Sequence, residues 1–526
     1  MEEGTPVARP RLTTIWEEKR IIAICLCIAF AQFQYGYDSA AVSGFQSMPG
    51  FLRVYGYPDP ATTIGYNIST SVQRLIQSLM NVGGLAASIF VYSIGDRISR
   101  RTGLWIACLI GVIAISIQIA SKHTGALYAG RLLLGLSNGF FIPYSVTYMS
   151  EVSPAHLRGS IVGMVVFQIS LGALFGILVD NYTDVYLQRK SYEIPLGVMY
   201  IIPAFISVFI IFLPDTPRYY ISRGQDDKAA NSIRKTRGIT DQARIAAEVA
   251  DIKSTWLAEQ ELHNGVHLRD MIRGPDLRRT LISLGAAVGQ TATGITFISG
   301  YSVYFYVQAR IGSPFIWVMV GLALTLTANM ASFPAMRYLS RRFLLLSTSI
   351  ASTIFMLAMA IVYTKSTVGS DSAGKALVGI SIVYTWFYGV GQGPVLWAVA
   401  AEVPSQRLRA TTVGVAAGSN FVFGWLCQFC TPYFINPDSL NWGPKYGYIW
   451  GGSNAILTLW IFFFVPETKG RSLEQLDELF ENRVPTWKFS QYVTEHVAVD
   501  AEREAVPVAA KGGAVHVEDT LYREVK

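Results

Sequence analysis

The chain is poor in charge. Of its 526 residues, 15% are Asp, Glu, Lys or Arg, against about a quarter in an ordinary soluble domain. That deficit argues against a globule surrounded by water. Histidines are few as well, six in all, and none stands with Cys and Asp in a pattern suited to catalysis. No Gly-x-x-x-x-Gly-Lys-Ser/Thr run and no dinucleotide fingerprint occurs, which disfavours an ATP-driven pump and a Rossmann enzyme. The five cysteines, Cys25, Cys27, Cys108, Cys427 and Cys430, all sit in apolar runs. Cys427-Gln-Phe-Cys430 has the spacing of half a metal site, but no second pair or His cluster accompanies it. The thiols therefore read as small apolar residues, and no metal or other cofactor is expected. No cleavable leader is read either: the first apolar run follows a polar lead of about twenty residues and is too long for a signal core.

What the chain has instead is long apolar runs. Hydrophobic residues make up 51% of it. A bilayer-spanning helix needs roughly 20 mostly apolar residues. Runs of that kind recur at 21–33 (continuing sparsely polar to 44), 104–120, 198–213, 343–363 and 446–465. About twelve such segments are expected, making an all-α membrane protein. The net charge of +7 could suggest nucleic acid, but its distribution argues otherwise. Arg97, Arg100 and Arg101, then Arg158, then Arg337, Arg341 and Arg342, then Arg407 and Arg409 fall in alternate short loops. Basic short loops mark the cytoplasmic side, and an even helix count puts both termini there too. The sequons at Asn67 and Asn181 then lie in extracellular intervals and are expected glycosylation acceptors.

One polar signature is written twice. The first half reads Glu151-Val-Ser-Pro154 through Arg158, and the second reads Glu402-Val-Pro404 through Arg409, with the same step from Glu to Arg. Gly95-Asp96-Arg97 through Arg101 is echoed by Met336-Arg337 through Arg342. Pro214-Asp215-Thr216-Pro217-Arg218 is echoed by Pro466-Glu467-Thr468-Lys469-Gly470. Parallel repeats of this kind build one large class of transporters. The expected organisation is a tail over 1–20, a six-helix bundle over 21–213 and a cytoplasmic linker of short amphipathic helices over 214–279. A second six-helix bundle over 280–465 and a tail over 466–526 complete it. Asp96, Arg97, Arg101, Glu151, Arg158, Arg341, Glu402 and Arg409 form a candidate cytoplasmic gate, because acids and arginines at facing helix ends can pair and part.

These motifs resemble those of the sugar porter family of the major facilitator superfamily. The resemblance spans about residues 20–490. It includes Gly36-Tyr37-Asp38 with Ser43-Gly44, Gly130-Arg131 with Gly135, and Gly393-Pro394-Val395-Leu396-Trp397, besides the repeated elements above. The end of the match, Glu481 to Phe489, looks like fungal members. The resemblance implies two pseudo-symmetric six-helix bundles around a central site that faces each side of the membrane in turn.

Intramembrane ionisable groups are costly and are functional suspects by default. In the proton-coupled porters that the chain resembles, the positions of Asp38 and Arg131 form a pair, and passive relatives generally lack the acid. A carboxylate beside an arginine stays ionised, and its protonation frees the arginine and lets helices shift. A sugar presents hydroxyls and apolar faces, so its site needs amides and an aromatic wall. Gln168, Gln290, Trp397 and Asn420 look like family sugar-contact positions, with Tyr35 and Gly393 beside the sugar. The seventh span departs from the pattern: Thr291 stands for a glutamine and Thr296 for an asparagine. Each swap replaces an amide with a shorter hydroxyl, which points to a roomier, less polar site. Arg337 stands where the family usually has Asp. The expected function is transport of a sugar or polyol across the cell membrane by proton symport. A passive facilitator, a non-transporting nutrient sensor and a metabolite exporter are the alternatives.

Overall fold

The computed structural model describes residues 18–489 and 492, apart from 61–64, 96, 239–240, 264–266, 309–311, 367–370 and 472. The first half contains α1 (Lys19–Phe45), the short α2 (Pro49–Tyr55), α3 (Thr70–Ile94), α4 (Arg100–Ala120), α5 (Thr124–Val152) and α6 (Ala155–Thr183). A bent sixth span follows as α7 (Lys190–Val198) and α8 (Ile201–Phe212). Three helices lie in the middle: α9 (Pro217–Ser222), α10 (Asp226–Arg237) and α11 (Gln242–His263). The second half runs through α12 (Gly274–Thr291), α13 (Ile295–Gln308), α14 (Pro314–Tyr338), α15 (Arg341–Lys365), α16 (Asp371–Phe387), α17 (Gly393–Glu402), α18 (Arg409–Ile435) and α19 (Gly447–Phe464). A last helix, α20 (Leu473–Glu481), follows. The strands β1 (Tyr57–Pro58) and β2 (Tyr66–Asn67) pair antiparallel beside α2.

Among the described residues, eleven helices are long and apolar enough to cross a membrane. A twelfth of similar length, α5, falls outside that group. It carries Arg131, Ser137, Asn138 and Ser145, all buried, and packs between α3 and α4. Its polarity is turned inward. Helices dominate because a bilayer offers the backbone no water to bond, so each segment must satisfy its own N–H and C=O groups. Where spans start, the caps repeat between halves: Ser99 accepts from the Thr102 amide and Ser340 from the Phe343 amide.

Each half packs as a bundle, and α3 against α18, α6 against α14 and α1 against α13 join the two. The α1–α6 contact is the most intimate. A Cβ added at Gly36 would overlap the Ile169 backbone, and one at Gly172 the Phe33 backbone. In a membrane, close approach of small residues replaces the hydrophobic drive that packs helices in water.

Two spans of the second half are interrupted. The seventh breaks between α12 and α13, where Gly294 adopts a φ of +87°. Breaking a helix strands carbonyls, and neighbours satisfy them. Ser453 donates to the Ala292 carbonyl at 2.6 Å, while Asn454 and Tyr384 donate to that of Thr293 at 2.7 and 2.8 Å. The tenth span contains a π-helical turn, Tyr388–Gln392, between α16 and α17, a feature frequent at functional sites.

Candidate functional site

The second bundle gathers most of the expected contact residues around one amide. Gln290 lies in the last turn of α12, Trp397 on α17 and Asn420 on α18. The Trp397 indole donates to Gln290 Oε1 at 2.7 Å, and Asn420 Nδ2 reaches the same oxygen at 3.3 Å. Asn420 also donates to the Ala287 carbonyl at 2.7 Å, and Gln290 Nε2 to that of Gly393 at 3.4 Å. These three side chains are partly exposed. They can offer both donors and acceptors to a neutral solute without presenting charge.

The remaining expected residues sit apart from that amide. The Thr291 hydroxyl is committed to the Val288 carbonyl at 2.9 Å, so the threonine at a glutamine position turns back on its own helix. Thr296 lies beside Cys427. Gln168, on α6, is 5% exposed, and its Oε1 has no partner among the described residues. Tyr35 is partly buried on α1 and approaches the second bundle at Tyr388, which also touches Gln290. Tyr388 was not singled out in the sequence, although it opens the irregular turn just before the Gly393-Pro394 motif. Gln392 was also missed. It is fully buried, donates to Ser349 at 2.8 Å and to Asn454 Oδ1 at 3.2 Å, and accepts from Ser352 at 2.8 Å. Through Asn454 it ties the π turn of the tenth span to the break in the seventh.

The ionisable pair lies in the first bundle. Arg131 Nη1 donates to Asp38 Oδ1 at 2.6 Å, and both side chains are 0% exposed. Arg131 also donates from Nε to the Ile76 carbonyl at 3.0 Å and contacts Met80 Sδ at 3.5 Å. Asp38 Oδ2 has no partner among the described residues. The pair thus has a spare acceptor at which a proton can bind without first displacing the arginine.

The candidate gate residues form two matching sets. In the first bundle Arg100 pairs with Glu151 at 2.9 Å, and Thr216 donates to the same carboxylate at 2.5 Å. In the second, Arg341 pairs with Glu402 at 3.4 Å, and Thr468 donates to it at 2.6 Å. The backbone amide of Arg101 donates to Asp215 at 3.4 Å, and those of Arg341 and Arg342 to Glu467 at 3.0 and 3.1 Å. Ion pairs seen at this basic face join partners within one bundle, rather than across the two. Arg100, which the sequence did not single out for the gate, holds Glu151. The Arg101 side chain goes to the Ile211 carbonyl. Arg97 is exposed, and Arg409 opens α18. Asp96 and the Arg158 side chain lie outside the described residues.

Contacts across the bundles gather at the opposite face. Asn436 donates to Gln73 at 2.8 Å and to Thr70 at 3.1 Å, Asn81 to Gln428 at 2.7 Å, and Gln77 to the Gly300 carbonyl at 2.9 Å. Arg74 bonds the Tyr433 hydroxyl and lies over the Phe429 ring. Deeper in, Asn329 donates to Ser170 at 2.6 Å. This face is closed in the conformation seen here. Asn67 belongs to the same seam and is 5% exposed. Its amide nitrogen donates to Asp59 at 3.2 Å and its oxygen accepts from Tyr304 at 3.4 Å. The sequence led to an accessible acceptor here, but a glycan on that nitrogen would have to part the seam. Asn181 is partly buried in the last turn of α6.

Residues 24–480 match the model of a family described as sugar (and other) transporter. The major facilitator-type transporter ecdD of Aspergillus rugulosus is 28% identical, over 86% of this chain and 86% of its own. Hexose transporter 2 of Kluyveromyces lactis is 27% identical, over 89% of this chain and 84% of its own. Among solved structures, the inward open conformation of the xylose transporter XylE from E. coli superposes with a TM-score of 0.71. It covers 87% of this chain and 99% of that one at 19% identity.

Proposed function

This chain belongs to the sugar (and other) transporter family, and on that premise we propose that it carries a neutral polyhydroxylated solute, a sugar or a polyol, by proton symport. It is a multi-pass membrane transporter of the major facilitator fold and not an enzyme. The observation that carries the solute class is the partly exposed cluster of Gln290, Asn420 and Trp397. It joins two amides to an indole face and contains no ionisable group.

The coupling reading rests on Asp38 and Arg131. When Asp38 takes a proton, its attraction for Arg131 is lost. The guanidinium then keeps only its bonds to the Ile76 carbonyl and Met80. Those partners lie on α3, which bears the polar seam to α18, so a change at Asp38 is placed to bias that seam. The proton and the solute then favour the same conformation, and linkage makes the effect reciprocal. The basic face is read as cytoplasmic, with both termini there, in the cell membrane.

The test is uptake by the full-length protein in cells lacking their own porters, against a panel of hexoses, pentoses, disaccharides and polyols. A transported solute is expected to accumulate against its gradient when external pH is lowered. Flux without accumulation would make the protein a passive facilitator, and no flux of any panel member would remove the solute class.

A further inference from the structure

Asp180 is a second carboxyl sealed inside the first bundle, and the cycle described above does not use it. It follows Gly172 and Gly176 on α6 at helical four-residue steps, so the three share a face. That face lies on α1. A Cβ at Gly176 would overlap the Tyr37 backbone, and one at Gly44 would overlap the Asp180 carboxylate itself. Asp180 is 0% exposed, and neither of its oxygens has a hydrogen-bond partner among the described residues.

The ionisable groups on the elements around it do not neutralise it. Its own helix brings Asp184, one turn further on, where α6 is capped. From α1 come Tyr37, whose hydroxyl donates to the Pro195 carbonyl at 3.0 Å, and Asp38. From α7 come Lys190, Tyr192 and Glu193. Tyr192 accepts from Arg189 at 3.0 Å, and Glu193 pairs with Arg189 at 3.1 Å. The charges of α5 are Arg131, held by Asp38, and Glu151, held by Arg100. The one charge on α14 is Arg337, near its end at the basic face. No ion pair to Asp180 is seen among the described residues.

We propose that Asp180 is a second proton-binding site, held as the neutral acid in the conformation seen here and exchanging its proton with the far side by way of Asp184 to supply Asp38. An isolated carboxylate in a dry interior is too costly to remain charged, so a carboxyl without a cation holds a proton. Gly44, beside Asp180, stands six residues beyond Asp38 on α1, about 9 Å along the axis. A short chain of water molecules would cover that distance. In the transfer, the O–H bond on Asp180 breaks and a new one forms at the spare oxygen of Asp38. The anion left on Asp180 regains a proton from far-side water. Burial pushes the Asp184 carboxyl above its ordinary value, which suits a group that takes protons from water and passes them inward.

The supply role rests on the symport reading, whereas the protonation of Asp180 does not. The test uses the full-length protein in lipid vesicles at neutral pH. Infrared spectra should show the carbonyl stretch of a buried carboxylic acid, lost in Asp180→Asn and kept in Asp38→Asn. Proton-driven uptake of D-xylose and D-glucose should slow severalfold in Asp180→Asn while counterflow of the same sugars is kept, and Asp180→Glu should restore part of the rate. A band unchanged in Asp180→Asn would overturn the site. Loss of the band with unaltered proton-driven uptake would overturn the supply role. Uphill accumulation surviving in Asp38→Asn would sink the symport reading and leave the infrared result standing.

Discussion

The indole of Trp397 donates to the Oε1 atom of Gln290 at 2.7 Å, and Asn420 reaches that same oxygen at 3.3 Å. Both lone pairs of the glutamine oxygen are engaged within the second bundle. A solute hydroxyl gains that oxygen only by displacing one of the two donors. Gln290→Ala therefore removes a solute contact and also strands the indole N–H. With about 1–3 kcal/mol for a donor left unpaired, and tenfold per 1.4 kcal/mol, KM for the preferred solute should rise by about fivefold to a hundredfold. Concentration-dependent uptake reads this, and Trp397→Phe, which leaves no orphan donor, should cost less.

Asp38→Asn leaves Arg131 charged and without its partner in a fully buried place. Breaking such a pair costs about 3–5 kcal/mol, so a lower melting temperature in detergent is expected. The double variant Asp38→Asn with Arg131→Gln should recover much of that loss without recovering uphill transport. Wild-type uptake should fall as external pH rises, since fewer Asp38 carboxyls then carry a proton. Asp38→Asn should be flat with pH, which uptake at stepped pH would reveal.

Asn436 links the bundles through Gln73 and Thr70. Asn436→Ala should weaken the closed far face and shift the population toward the state open on that side. A cysteine placed at Thr70 in this background should react faster with a membrane-impermeant thiol reagent. An unchanged labelling rate would show that the seam does not control closure.

The two gate sets are alike in connectivity but not in quality. Glu151 is bonded by Arg100 at 2.9 Å and lies mostly buried, whereas Glu402 meets Arg341 at 3.4 Å and is more exposed. Exposed ion pairs contribute about 0–1 kcal/mol, while buried ones lose far more when one partner is removed. Glu151→Gln should therefore lower the melting temperature more than Glu402→Gln does.

Asn454 fills the free carbonyl of Thr293 and accepts from Gln392. Asn454→Leu would leave one Gln392 N–H buried without its acceptor, at about 1–3 kcal/mol, and the Thr293 carbonyl held by Tyr384 alone. A lower melting temperature and a slower turnover, with KM little changed, are expected from thermal and uptake measurements.

Some of this was legible in the chain alone. Long apolar runs, repeated acid–arginine elements and alternating basic loops established a duplicated membrane bundle, because a bilayer compels each span to satisfy its own backbone. The same economy of charge made Asp38 and Arg131 conspicuous. Other features belonged to the folded molecule. Which arginine holds Glu151 depends on how the first residues of α4 are turned. That Thr291 bonds backward while Gln290 reaches across three helices is a matter of helix rotation, and Asn67 is buried because a neighbouring bundle lies on it. Gln392 and Asn454 gained a role once two interrupted spans were brought side by side. Asp180 was one more acid at the end of an apolar run until the glycine face of α6 placed it against α1. Local patterning decides where helices form, whereas the contacts between helices arise from close packing at long sequence separation, which no single run of residues encodes.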